Sequence, residues 1–143
     1  MGFFGKLMGE GTPDYPELDA SSPAASKLNS VKDKLTELAG QVKDPMEVVP
    51  ADGAAYVFIG KPPKKFGIAW IENNEINNFK TLLAKRGASP ITLEKLSNRL
   101  REAYVNDAPE EKFSITLGDK KVVVVPSDSL AADVKTIIDH VAK

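Results

Sequence analysis

Between residues 28 and 42 the apolar positions fall at Leu28, Val31, Leu35, Leu38 and Val42, in steps of 3, 4, 3 and 4. That spacing predicts one helix with a narrow apolar stripe. The stripe either packs on the rest of its own chain or pairs with a helix of a second copy or of another protein. Two heptads fall short of the three or four that specify a coiled coil. The stretch after it, KDPMEVVPADG, reads as an exit loop because proline, aspartate and glycine punctuate it.

The period then changes. AAYVFIG and FGIAWI are rich in β-branched and aromatic residues and predict two strands joined by the short proline loop KPPKK. In the second strand Phe66, Ile68 and Trp70 alternate with Gly67, Ala69 and Ile71, so helices are expected close over the small-residue face. ENNEINNFKTLLAKRG predicts a short helix, with Asn73 or Asn74 as its cap, Ile76, Phe79, Leu82 and Leu83 as its buried face, and Gly87 as its stop. SPITLEKLSNRLREAYVN predicts a second helix capped by Thr92, with Ile91 stapled to Leu96 and an apolar face of Leu93, Leu96, Leu100, Ala103 and Tyr104. KFSITL and KVVVVP predict a second hairpin across GDK, and the run of four valines reads as a strand covered on both faces. Ser127 or Asp128 caps a final helix that buries Leu130, Val134, Ile137, Ile138 and Val141.

The predicted order is α-ββ-α-α-ββ-α: an α+β fold in which two hairpins form one four-stranded, mainly antiparallel sheet with helices packed on it. A short echo, FKTLL at residues 79–83 and VKTII at 134–138, puts similar residues on the helix after each hairpin. Residues 1–25 are expected to be a flexible acidic arm and residues 26–143 a single α+β domain. The arm's GTPDYPELDASSPAA carries few large apolar groups and cannot offset its ordering entropy by burial.

Composition narrows the function. The chain of 143 residues has the apolar and charged content of an ordinary globular domain, a formal net charge of −1 and no cysteine. Cysteine chemistry, from disulfides to thiolate nucleophiles and Cys-ligated metals, is excluded. The near-zero charge leaves no overall footprint for nucleic acid or an anionic membrane. One lysine stands against four acidic residues in residues 1–24, whereas fourteen basic residues stand against twelve acidic ones in residues 51–143. No apolar run approaches a membrane span. The start, MGFFGKLMGEG, lacks the small-residue cleavage site of a secretory signal, and Lys6 stands where a myristoylation motif wants Ser or Thr. Phe3, Phe4, Leu7 and Met8 leave open a dock onto the domain, a partner, or a weak peripheral membrane contact by residues 1–8. The expected compartment is the cytoplasm.

Candidate chemistry is sparse. The single histidine, His140, falls at the flank of the last helix's apolar stripe, with only Asp139 beside it. Gly53 and Gly60 do not space as a phosphate loop does, and Pro62 follows Lys61 where Ser or Thr would bind the metal. No dinucleotide, nucleophile-elbow, zinc-protease or calcium motif is present. No catalytic residue, metal or cofactor is expected from these patterns.

Two binding patterns remain. Lys61, Lys64 and Lys65 project from a stiff turn beside Phe66 and Trp70, a composition that grips an acidic peptide or single-stranded nucleic acid. The two aromatics alternate as core residues do, so the lysines alone are free to be a site. Separately, FKTLLAKRGASPITLEKLSNRLREAYV resembles a helix-turn-helix segment, with Lys95, Asn98, Arg99 and Arg101 on the outer side of its second helix. Arg86 and Leu83 depart from that pattern, and Glu94 and Glu102 would face phosphates. The chain therefore reads as a small, soluble, non-catalytic module for protein–protein interaction, its partner another protein or a second copy of itself. DNA binding through residues 76–105 is the alternative.

Overall fold

The computed structural model describes residues 15–61, 64–78, 90–109 and 112–142. Along them run α1 (Pro23–Asn29), α2 (Lys32–Gln41), β1 (Met46–Ala51), β2 (Ala54–Lys61), β3 (Lys65–Glu72), β4 (Glu75–Asn78), α3 (Pro90–Asp107), β5 (Phe113–Leu117), β6 (Lys120–Val124) and α4 (Asp128–Ala142). The fold is broadly α+β, but the sheet is mixed and has six strands in the order β4-β3-β2-β1-β6-β5. The expectation of four strands is thus corrected. Neighbouring strands run antiparallel except β1 and β6, which are parallel and join the two halves of the sheet.

Two strands come from segments read otherwise. β1 lies in the presumed exit loop, and Pro50 is the residue that disguised it. The β6 ladder runs beside Glu47 and Val48 only, so Pro50 sits past its end and its missing N–H costs no bond there. β4 lies at the start of a presumed helix. Asn73 and Asn74 do not cap that helix; they take φ of 56° and 60° and make the two-residue turn between Glu72 and Glu75. Two successive positive φ values are what a tight hairpin with right-handed strand twist requires, and Asn tolerates them. The rest of that presumed helix, with Phe79, Leu82, Leu83 and the FKTLL echo, lies outside the described residues, as do residues 1–14.

The first helix is two. Val31 leaves helical geometry at φ −124° and ψ 12°, and the Ser30 hydroxyl donates to the Lys27 carbonyl at 2.7 Å in place of helix continuation. The stripe survives the break, and Leu28, Val31, Leu35 and Leu38 are all buried against this sheet. α3 starts with Pro90 at its first position, so Thr92 lies inside the helix rather than at its cap. Ser127 does cap α4, its Oγ accepting from the Leu130 N–H at 3.1 Å.

Helices cover both faces of the sheet. α1 and α2 lie over Met46, Val48, Ala55, Val57, Ala69 and Ile71, the face with the smaller residues. α3 and α4 lie over Val49, Tyr56, Phe58, Ile68 and Trp70. The valine run divides between them, Val122 and Val124 to the first core, Val123 and Val125 to the second. Lys120, at the β5–β6 turn, donates to the carbonyls of Val42 at 2.7 Å and Asp44 at 2.6 Å, which satisfies groups at the exit of α2. Among the described residues no helix is long and apolar enough to cross a membrane.

Candidate functional site

The β2–β3 hairpin is anchored beside its turn. Gly60 takes φ 115°, open to glycine, and its N–H donates to the Pro45 carbonyl at 2.8 Å. Beyond it Lys61 stands directly across from Lys65, and the Lys64 N–H closes on the Lys61 carbonyl at 3.1 Å. Lys61 and Lys64 are exposed, and among the described residues neither enters an ion pair. Pro62, Pro63 and the Lys65 side chain lie outside the described residues.

The aromatics beside the turn serve the core. Trp70 is buried, and the half-buried Phe66 packs on Phe58 with ring centroids 5.3 Å apart. Phe58 in turn meets Tyr104 edge-on at 5.3 Å.

Arg101 connects two regions that the sequence presents separately. Its guanidinium lies 5.8 Å from the Phe66 centroid, a stacking distance for cation and ring. One terminal nitrogen donates to the Lys64 carbonyl at 3.4 Å and the other to Asn98 Oδ1 at 2.6 Å. Lys61, Lys64, Arg101 and Asn98 therefore share one corner of the molecule. Lys95 and Arg99 do not join them. Both are exposed, but the 100° step of an α-helix carries Arg99 about 160° round α3 from Arg101. Glu94 and Glu102 are exposed on the same helix.

A second polar cluster was invisible in the pattern of apolar positions. The Tyr104 hydroxyl donates to Glu47 Oε1 at 2.5 Å and accepts from Lys112 Nζ at 2.8 Å, while Lys112 lies 3.7 Å from the same carboxylate. Burial first, then the hydrogen bond to Glu47, hold the Tyr104 phenol well above the ordinary tyrosine value. It is a fixed donor, and the cluster clasps β1, α3 and the approach to β5. Periodicity presents Tyr104 only as an apolar face residue, and Glu47 falls in the expected loop.

Elsewhere Asp107, the last residue of α3, faces Asp133 of α4. The neighbouring Asp133 carboxyl raises the Asp107 pKa, and the buried Asp107 Oδ2 finds no donor among the described residues unless the pair holds a proton between them. A cleft of about 650 Å³ opens between the β1–β2 and β3–β4 turns and α4, lined in part by Asp52, Tyr56, Glu72 and Lys135. Lys27 and Asp128, bridged at 2.9 Å, line both this cleft and a second of about 280 Å³ against Phe113 and Pro126. Their charges mix both signs, and no His or Cys lines either. Among the described residues no three His, Cys, Asp or Glu side chains converge as metal ligands do. His140 is exposed in the last turn of α4.

No family model and no solved structure matches this chain. It is similar to phosphoglycerate kinase from Staphylococcus aureus, with strains JH9 and Newman each giving 28% identity over 117 residues. That stretch is 80% of this chain but 26% of the enzyme, so the chain spans about a quarter of the length of the curated relatives it matches.

Proposed function

We propose that this chain is a non-catalytic interaction module that docks an acidic segment of another protein on the corner made by Lys61, Lys64 and Arg101, with Lys65 next in the turn. The observation that carries this reading is the bond from Arg101 to the Lys64 carbonyl. It brings a helix cation to the tip of a stiff hairpin whose exposed lysines have no ion-pair partner among the described residues. Clustered cations on an anchored turn attract a carboxylate-rich segment, and the backbone loses little freedom in holding it.

DNA binding through α3 is the weaker reading, because Arg99 lies about 160° round the helix from Arg101 and Glu94 and Glu102 are exposed on the same helix. A kinase reading would rest on likeness to a quarter of one enzyme's length.

The test is a titration of the full chain with labelled oligoglutamate and, separately, with duplex DNA. Charge reversal at Lys61 and Lys64 is expected to weaken oligoglutamate binding by about tenfold, since each exposed pair contributes roughly 0.2–1 kcal/mol and reversal adds repulsion. Reversal at Lys95 and Arg99 is expected to leave it unchanged. Duplex binding that depends on Lys95 and Arg99 and falls steeply with salt would overturn the reading.

A further inference from the structure

The β5 edge carries the beginning of a seventh strand. Residues 15–18 lie beside it in parallel, bridged at Glu17 and Ser114. The Ser114 N–H donates to the Pro16 carbonyl at 2.8 Å, and the Ser114 carbonyl accepts from the Leu18 N–H at 2.9 Å. The Ser114 hydroxyl donates to the Tyr15 carbonyl at 3.0 Å. Ser114 is 1% exposed, and its polar groups on this side depend on a chain lying across the edge. Tyr15 packs on the core under α3 and α4 and Leu18 on the core under α1 and α2, so the segment straddles the sheet as a strand does.

The segment then stops short. Asp19 turns it away: the Ser22 N–H donates to the Asp19 carbonyl at 3.0 Å, and the Ser21 N–H to Asp19 Oδ1 at 2.9 Å. The chain passes into α1, and among the described residues no backbone bond reaches the outward edge of β5 beyond Ser114. By strand alternation the next outward-facing backbone groups are those of Thr116, which is exposed. Alongside lies a cleft of about 160 Å³ between β5 and the first two helices, lined by Leu18, Leu28, Leu35, Ile115 and Leu117, with the exposed Lys32 also lining it. Ala20 reaches this cleft from the turning chain and is too small to fill it.

We propose that the β5 edge is a strand-addition site for an extended segment of a partner protein, one with an aromatic residue, an aliphatic residue three positions later and a second aliphatic two positions beyond that. Such a segment replaces residues 15–18, which act as a built-in competitor. It repeats their bonds to Ser114, continues along Thr116, and seats its second aliphatic side chain where Ala20 leaves room. An acidic neighbour to that side chain suits Lys32. The partner's advantage over the arm is length, since the Asp19 turn denies the arm the second pair of backbone bonds. This site goes beyond the basic corner and does not rest on it.

The test uses the full chain and a labelled peptide that repeats residues 14–18 and continues with two valines and a threonine. Peptide binding is expected to be at least ~10-fold tighter to the Tyr15→Ala, Leu18→Ala double variant than to the wild type, because the competitor's side-chain anchors are gone. Thr116→Pro, which removes an outward N–H and no bond to β6, is expected to abolish that gain. Amide-shift mapping on the wild type, which needs no substitution, is expected to move Ser114, Thr116 and residues 15–18 together. Shifts confined to the β2–β3 hairpin, or equal affinity for both chains, would overturn the proposal. So would dimerisation of the double variant without peptide uptake, which would assign the edge to a second copy. Lys61 and Lys64 charge reversal is expected to leave peptide affinity unchanged, so the two sites fail separately.

Discussion

Tyr104 donates its phenolic hydrogen to Glu47 across 57 positions of sequence, at 2.5 Å. The bond ties the last turn of α3 to the central strand β1, and Lys112 closes the clasp from the other side. Removing the hydroxyl leaves a part-buried carboxylate without that donor. Tyr104→Phe is therefore expected to lower stability by about 1 kcal/mol, the usual cost of losing a hydrogen bond to a charged group that keeps some solvent. Denaturant unfolding at neutral pH measures it, and an unchanged midpoint would show that Lys112 alone satisfies Glu47.

Tyr56 offers a second phenol with a pH signature. Its pKa rises from 10.0 to about 12, through burial first and then the charges of Glu72 and Asp139. The folded-state value is raised above the unfolded one, so the fold favours the neutral phenol. Its contribution is whole below pH 10.0 and is lost as the pH climbs to about 12. Thermal midpoints across that window are expected to fall less steeply in Tyr56→Phe than in the wild type.

The carboxyl pair works in the same direction at the acid end. Asp107 has a raised pKa because of Asp133, so its contribution to stability is present when the pair holds a proton and is lost as the pH rises through the folded-state value. Asp107→Asn supplies a permanent donor, and it also removes a negative charge from the C-terminus of α3, where the helix dipole disfavours one. The variant is expected to melt higher than the wild type at pH 7, with the difference shrinking toward the ordinary carboxylate range. A constant difference at all pH values would assign the effect to the helix end alone.

The lysines of the basic corner are expected to be free of the fold. Charge reversal at Lys61, Lys64 and Lys65 together is expected to leave the melting temperature nearly unchanged, as exposed substitutions change stability by about 0.5 kcal/mol or less each. A large drop would mean that the turn is packed.

The Asn73–Asn74 turn makes a backbone prediction. Asn74→Gly is expected to hold or raise stability, and Asn74→Ala to lower it by about 1 kcal/mol, because alanine must adopt a left-handed φ. Equal stability of the two would mean that the turn relaxes without cost.

Local chemistry made much of this fold legible. The alternation of Tyr56 and Phe58 against Val57, and the unbroken Val122–Val125 run, mark strands whose burial follows directly. The missed strands failed for local reasons as well. Pro50 is a loop residue in most settings and is harmless here only because β6 ends before it. Asn73 and Asn74 are good helix caps and equally good hairpin residues, and four residues of β4 are too few for periodicity to decide. What periodicity cannot carry is long-range order. Nothing in either hairpin announces that β1 and β6 meet in parallel. For the same reason Lys64 and Arg101 read as two separate surfaces, although both were individually marked as candidates.

The parallel seam has a consequence for how the chain is made. Val48 meets Val124 across 76 positions, so synthesis delivers β1 through β4 well before β6 exists. The meander leaves the ribosome with one flank of β1 unpaired and rich in valine, and its central position in the finished sheet offers no protection during that interval. An unpaired apolar edge is a template for pairing with another chain. A delay in the arrival of the second hairpin therefore lengthens that exposure, and slow translation between β4 and β6 is expected to prolong it most.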